Sequence, residues 1–224
     1  MLMLVQDRSG HRIAIRYAKA DSDGFYTSTT KQQCSAVVLA FPPTIENLRI
    51  AGIDLRPEEE EIFAPVRVHN YFSSAVEMSV PYNVSYIASS NSPQEPPPNA
   101  GEPVALLRLD PSSPVVTSWS WGPDDRPQSA EEARDILSIA LSQVNKDPRI
   151  PGEVSSALKS EDVKTFRKWD YFPHFDSAEL RGGWYQKLSA LQGQSNTFWV
   201  SGLNGMETVE WAVRASQDVV RSYF

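Results

Sequence analysis

The stretch that decides the fold is Asn196–Phe224, NTFWVSGLNGMETVEWAVRASQDVVRSYF, the last segment of the 224-residue chain. Its β-branched and aromatic run Thr197–Val200 predicts a buried strand. Ser201–Gly205 follows with two glycines, whose missing side chains permit a tight turn and a close approach of the backbone. The segment therefore predicts a strand and a glycine turn, with a helix after them.

The sequence pattern predicts that the helix begins at Met206 or Glu207. Apolar residues then recur on one helical stripe: Met206, Val209, Val213, Val220 and Phe224. Thr208 and the acids of the first turns suit the exposed amides and the positive end of the helix dipole. A helix N-terminus after a glycine turn can present N–H groups to an anion or a polar ring edge, although an ordinary packed strand–turn–helix has the same pattern.

Outward from this segment, Ser129–Asn145 is the clearest helix. Ser129 and Glu132 form a capping box ahead of a regular apolar stripe. Alternating or continuous apolar residues predict strands elsewhere, at Ser35–Phe41, Arg67–Val80, Val104–Leu109, Val115–Trp121 and Val163–Tyr171. Pro57 favours a helix start near Arg56–Phe63. Helices and strands are therefore mixed along the whole chain.

Composition and motifs exclude several classes of function. The formal net charge of −7 opposes a nucleic-acid partner, and the single cysteine rules out an internal disulfide framework. The three histidines lack metal-ligand spacing, and no GxSxG motif occurs. Met1–Val5 reaches charged residues too early for a signal peptide, and no apolar run is long enough for a membrane span. We therefore expect a soluble, cytoplasmic protein without a metal site.

Three segments carry a family resemblance: Phe198–Val220, Trp169–His174 (WDYFPH) and Gly182–Tyr185 (GGWY). Together they resemble the C-terminal half of fungal FAD-dependent amine oxidoreductases, the monoamine-oxidase-like flavoproteins of secondary metabolism. The resemblance implies an α/β fold of mixed sheets, a partial two-domain flavin oxidoreductase fold with FAD as cofactor. No GxGxxG motif occurs in the chain, so we expect it to lack the family's N-terminal dinucleotide-binding unit.

The resemblance also implies a domain division and a set of site residues. Residues 1–43 and 166–224 would form a partial FAD-binding unit, and residues 44–165 a substrate-binding unit. The residues implied to face the flavin are Gly202, Gly205, Met206, Glu207, Thr208 and Val209. Those implied to line the substrate cavity are Trp169, Tyr171, His174, Trp184 and Tyr185. Aromatic residues this dense are otherwise typical of a core, and a lone histidine among them is typically structural.

Two departures from the family pattern, the missing dinucleotide-binding unit and a missing lysine, leave the function open. The strand Arg67–Met78 contains no lysine, whereas amine oxidases commonly carry one there, and no residue is assigned a catalytic role. The first hypothesis is an FAD-dependent oxidoreductase that acts on a small secondary metabolite, with a second chain or a homodimer completing the flavin site. The second is a non-catalytic, truncated paralogue that acts as a binding or interaction protein. A third is an incomplete gene product without a stable fold.

Overall fold

The computed structural model describes residues 2–4, 13–20, 26–88, 100–123, 128–205 and 208–224. The chain forms two compact units, the first built from Met1–Val68 with Phe172–Phe224 and the second from His69–Tyr171. The sequence analysis placed these boundaries at residues 43 and 166. Which unit binds flavin and which binds substrate stays a prediction.

The first unit contains two small sheets. Strands β1 (Leu2–Leu4), β2 (Ile13–Ala20) and β3 (Tyr26–Cys34) form an antiparallel sheet in that order. Strands β4 (Val37–Leu39) and β10 (Thr197–Trp199) pair in parallel. The strands predicted from the apolar runs at both places are therefore present, but each is only three residues long.

Helices of the first unit pack around the parallel pair. Their bounds are Ile45–Ile50 for α1, Pro57–Phe63 for α2, Ser177–Arg181 for α4, Trp184–Leu191 for α5 and Val209–Tyr223 for α6. Phe63 of α2 and Leu188 of α5 belong to one buried cluster with Trp199 of β10. The rings of Phe63 and Trp199 lie 4.5 Å apart. This core fixes β10, and with it the turn that leads to α6.

The second unit is a five-stranded sheet with one helix on it. The strand order is β6 (Ser85–Ile87), β7 (Pro103–Leu107), β8 (Val115–Trp121), β5 (Arg67–Glu77) and β9 (Val163–His174). Helix α3 (Ala130–Val144) begins at Ser129, whose Oγ accepts a hydrogen bond from the Glu132 amide at 3.0 Å, as the sequence predicts. Leu137 and Leu141 of α3 belong to one buried cluster with Val76 of β5 and Val116 of β8.

Strand alternation gives this sheet two different faces. Phe72, Ser74 and Val76 of β5 are buried on the α3 side, and the residues between them are less buried. The same alternation in β8 buries Val116, Ser118 and Ser120. The residues between these point to the face that α3 does not cover.

No helix in the described part of the chain is long and apolar enough to cross a membrane.

Candidate functional site

Three aromatic rings from three neighbouring strands meet on the sheet face opposite α3. Tyr71 of β5 stacks on Tyr171 of β9 with ring centroids 4.8 Å apart. Trp121 of β8 lies 5.0 Å from the Tyr71 ring and 5.5 Å from the Tyr171 ring. We call Tyr71, Trp121 and Tyr171 the aromatic triad. Tilted and offset-stacked rings at these distances attract one another beyond their burial, so the triad forms a continuous apolar platform.

Two more side chains extend the platform. His69 lies edge-on to Trp121, with centroids 6.2 Å apart. Trp169 Nε1 donates a hydrogen bond to Ser73 Oγ at 2.8 Å, while 52% of Trp169 stays exposed. That bond fixes the indole plane and leaves one large aromatic surface open to solvent. The platform therefore offers flat apolar contacts with a few polar atoms at its margin.

The electrostatics of this face favour neutral groups. Burial, and secondarily the neighbouring Tyr171, raise the pKa of Tyr71, so its phenol stays protonated at neutral pH. Lys164 of β9 forms an ion pair with Glu77 at 2.7 Å, and the hydrogen bond to Glu77 raises the pKa of Lys164. Lys168 donates to the Gln128 carbonyl at 3.1 Å. Lys164 therefore keeps its proton at neutral pH and is not a neutral amine that could accept one.

The five residues predicted to line a substrate cavity fall into two groups. Trp169 and Tyr171 lie in the second unit, on the platform just described. Trp184 is buried in the first unit, where its Nε1 donates to the Ile62 carbonyl at 2.8 Å. The Tyr185 hydroxyl donates to the Gly205 carbonyl at 3.2 Å, and burial raises its pKa. His174 Nδ1 lies 2.9 Å from the Phe172 carbonyl oxygen. A substrate role for all five stays a prediction.

The predicted flavin-facing turn has a closely hydrogen-bonded geometry. Gly202–Asn204 is one turn of 3₁₀ helix, with Asn204 Oδ1 accepting from the Ser201 amide at 2.7 Å. A Cβ at Gly205 would lie 3.2 Å from the Trp211 ring, so only a glycine passes beneath that indole without displacing it. Met206 and Glu207 lie outside the described residues.

The first turn of α6 supplies two backbone N–H donors. Thr208 is its N-cap, and Thr208 Oγ1 accepts from the Trp211 amide at 3.3 Å. The amides of Val209 and Glu210 have no hydrogen-bond partner among the described residues. These donors fit the polar edge of a flavin ring. The chain has no glycine fingerprint that would fit the adenine dinucleotide part of FAD, so the fit covers the ring edge alone.

The structure adds Tyr71, Trp121 and His69 to the residues that the sequence analysis singled out. A signal for Tyr71 and Trp121 was present, because the period-2 pattern of β5 and β8 puts each on the side opposite the buried residues. The pattern does not predict that β5 pairs with both β8 and β9. This pairing brings the three rings together.

Curated relatives cover most of this chain but only part of their own length. An uncharacterized protein of Acanthamoeba polyphaga mimivirus is 31% identical over 195 residues, which are 80% of this chain and 35% of the relative. An FAD-dependent oxidoreductase of Apiospora sacchari is 23% identical over 86% of this chain and 38% of its own length. Beta-cyclopiazonate dehydrogenase of Aspergillus flavus is 25% identical over 87% and 39%. No protein-family model matches the chain.

Solved structures give the fold. A CLA-producing fatty acid isomerase from P. acnes superposes on the whole chain with a TM-score of 0.72 at 19% identity, and the match covers 48% of the isomerase. Cyclohexylamine oxidase from Brevibacterium oxydans matches 99% of this chain and 47% of its own with a TM-score of 0.52 at 13% identity. The chain is therefore a relative of FAD-dependent oxidoreductases that carries about half of the flavin amine oxidase fold.

Proposed function

We propose that this chain is the substrate-binding part of an FAD-dependent oxidoreductase that oxidises a small, largely apolar metabolite held against the aromatic triad. The observation that carries the proposal is the triad itself: three rings from β5, β8 and β9 form one platform within a fold shared with flavin enzymes. Two proteins of that fold are named for cyclohexylamine and for a fatty acid, both of which have an apolar body.

The chain's own residues would bind and orient the substrate. Flat apolar groups would stack on Tyr71, Tyr171 and Trp121, and Trp169 would enlarge the surface that excludes water. The unpaired amides of Val209 and Glu210 would hold the ring edge of FAD, which supplies a hydride acceptor when it is bound. Oxidation by hydride loss needs alignment more than a strong base, which agrees with a platform of neutral phenols and indoles. The absence of a lysine from β5 favours a substrate other than an amine.

Partner and compartment form part of the same proposal. A second polypeptide completes the flavin site by holding the adenine dinucleotide. Fungal relatives, among them a beta-cyclopiazonate dehydrogenase, support a role in fungal secondary metabolism. The single cysteine, Cys34, agrees with a reducing, cytoplasmic environment.

Flavin binding is tested by the visible absorption spectrum of the purified chain, followed by titration with FAD. We expect the flavin band to shift on addition of FAD, and a Val209→Pro variant to lose that shift because proline removes one of the two donors while being tolerated at the first helical position. A wild-type chain that neither shifts the band nor quenches flavin fluorescence would contradict the flavin part of the proposal.

Substrate binding is tested separately with cyclohexane carboxamide and a medium-chain alcohol as neutral apolar probes. We expect both to quench tryptophan fluorescence, and Trp121→Leu or Tyr171→Ala to weaken binding by about tenfold, the value of one aromatic contact of roughly 1.4 kcal/mol. Ile139→Ala on the outer side of α3 is the matched control, since it removes exposed apolar surface away from the triad. Equal affinity in all variants would argue against the triad as the site.

One observation favours a second candidate, a binding protein without catalysis. All three triad residues belong to the second unit, which is one continuous stretch of the chain, His69–Tyr171. The platform therefore forms without any contribution from the flavin-facing segment. Probe binding at the triad by a chain that does not bind FAD would support this candidate over the enzyme.

A further inference from the structure

A positive charge without a partner lies on β9 next to the aromatic platform. Arg167 is exposed and has neither a hydrogen bond nor an ion pair among the described residues. It stands two positions before Trp169 and four before Tyr171. We propose that Arg167 binds the carboxylate of a monocarboxylic acid whose apolar body lies on Trp169 and the aromatic triad. The inference rests on the proposed function and narrows its substrate class from apolar metabolites to apolar acids.

Strand alternation directs Arg167 to the platform side of the sheet. Phe166, directly before it, packs against the buried cluster that α3 covers. Lys168, directly after it, donates to the carbonyl of Gln128, which immediately precedes the N-cap of α3, at 3.1 Å. Both neighbours therefore point to the α3 side, and successive side chains of a strand point to opposite faces. Arg167 consequently lies on the same face as Trp169.

The charge balance of this face leaves Arg167 uncompensated. Within β5, β8 and β9, which the structure describes completely, alternation places two fully charged side chains of the second unit on the platform face, Glu77 and Arg167. Glu77 is neutralised by Lys164, whose Nζ lies 2.7 Å from its carboxylate. Arg167 therefore supplies one positive charge to a ligand on this face.

The guanidinium of Arg167 suits a carboxylate in both charge and shape. It stays protonated at every physiological pH, and its planar fork of N–H donors matches the two oxygens of a carboxylate with parallel hydrogen bonds. A single positive charge neutralises a monoanion completely. A dianion such as a phosphate monoester would keep an unpaired negative charge beside aromatic rings, where its desolvation is costly.

Trp169 strengthens this contact by limiting the access of water. Its indole is fixed by the hydrogen bond to Ser73 and stays 52% exposed. Exposed ion pairs contribute little because water screens them. A flat apolar group stacked on Trp169 removes water from one side of the pair between Arg167 and the carboxylate. The apolar body of the acid and its charged head therefore assist each other in binding.

The strand spacing sets the length of the acid. Residues of a strand are about 3.3 Å apart along its axis, so the backbone of Arg167 lies about 7 Å from that of Trp169 and about 13 Å from that of Tyr171. An acid with fused rings or a medium-length alkyl chain can span this distance, whereas acetate is too short to contact the rings. The structure thus favours a hydrophobic monocarboxylic acid.

The test compares 2-naphthoate with 2-naphthamide, which have the same rings and differ in charge. Isothermal titration calorimetry of the full chain at low salt measures both affinities. We expect naphthoate to bind about fivefold more tightly than naphthamide, the upper range for an exposed ion pair. Arg167→Gln should abolish this preference and leave the affinity for naphthamide unchanged. Salt at about 1 M should also abolish the preference in the wild type, because ions screen the pair.

Arg134→Gln is the matched control. It removes the same charge from α3, on the other side of the sheet, where Arg134 donates to the Ser160 carbonyl at 3.2 Å. It should leave the preference for naphthoate intact. Arg167→Lys keeps the charge without the fork and should retain only part of the preference. Because Arg167 is exposed, circular dichroism should show an unchanged fold in both of its variants.

The outcomes separate this inference from the proposed function. Equal wild-type affinity for the two probes, or a preference that Arg167→Gln leaves unchanged, would overturn the inference and leave the platform as a site for neutral groups. The same holds for a preference that Arg134→Gln abolishes equally. Tighter binding of 2-naphthyl phosphate than of naphthoate would overturn the assignment to a carboxylate. Binding of neither naphthoate nor naphthamide would overturn the inference together with the substrate part of the proposed function.

Discussion

Helices α3 and α6 have the same length and opposite surroundings. Each has 15 residues, and each begins at a hydroxyl side chain that caps the amide three positions on. Helix α3 buries Ala133, Leu137 and Leu141 almost completely, at 0–1% exposure. Within α6, all of whose residues the structure describes, Val219 alone is buried.

The difference shows what an apolar stripe in a sequence means. An apolar stripe indicates that one side of a helix packs against other apolar side chains. It does not identify the element that provides those side chains. For α3 the partner is the sheet of the second unit. For α6 the first unit supplies Phe198, Val200 and Ala36, which pack around Val219 and Ala215 of the helix.

The largest expected difference concerns stability. Leu137→Ala in α3 should lower the free energy of unfolding by about 2–5 kcal/mol, because it leaves a cavity in a packed core. Val213→Ala in α6 should change it by less than about 0.5 kcal/mol, because that side chain is half in water. Urea unfolding followed by circular dichroism measures both. A large loss of unfolding free energy for Val213→Ala would contradict the contrast between α3 and α6, because it would show that the stripe of α6 is covered.

The helix caps should give a smaller difference. Ser129→Ala removes the acceptor for the Glu132 amide and should cost about 1 kcal/mol of global stability, since α3 unfolds with its sheet. Thr208→Ala should cost a similar amount only locally, as faster amide exchange in the first turn of α6. Hydrogen exchange distinguishes the two. An equal increase in amide exchange and an equal loss of global stability for both variants would show that the two helices are held alike.

The smallest effect concerns the loop after α3. Hydrogen bonds from Arg149 lower the pKa of Asp147, so the carboxylate is stabilised in the folded state. Its contribution is fully present above about pH 4 and is lost as the pH falls through the lower, folded-state pKa. Asp147→Asn should therefore flatten the acid limb of the stability curve, measured by thermal unfolding between pH 2 and pH 6. Asp135→Asn, which removes a carboxylate that has no hydrogen bond among the described residues, is the control measured beside it.

Sequence reasoning predicted the strands and α3 better than the sites. Val115–Trp121 was predicted with its exact bounds, because its alternation is regular and a proline precedes it. The short helices α1 and α5 were not predicted. In α5 the apolar spacing of Trp184, Leu188 and Leu191 was present, but the sequence analysis used Gly182–Tyr185 only as a segment that carries the family resemblance. Local periodicity was therefore sufficient to predict an element that is long and packs against another element of the chain.

The positions of the triad residues and the exposure of the apolar stripe on α6 required information that local periodicity lacks. Tyr71, Trp121 and Tyr171 are separated by 50 residues at each step of the chain, and only the strand order makes them neighbours. The exposure of Val209 and Val220 depends on tertiary packing, which their spacing in the sequence does not reveal. The mixed α/β fold class and the flavin oxidoreductase resemblance were confirmed, whereas the individual cofactor and substrate residues stay predictions.

The strand order of the second unit has a consequence for how such proteins diversify. β5 carries the chain into that unit and β9 carries it out, and the two are neighbours in the sheet. The unit is an inserted segment of the chain, which we call a cassette, and its first and last strands lie side by side. Substitutions within such a cassette leave the path of the surrounding chain unchanged. The residues of the aromatic platform can therefore change by mutation without altering β10, the glycine turn or α6, all of which follow the unit in the sequence.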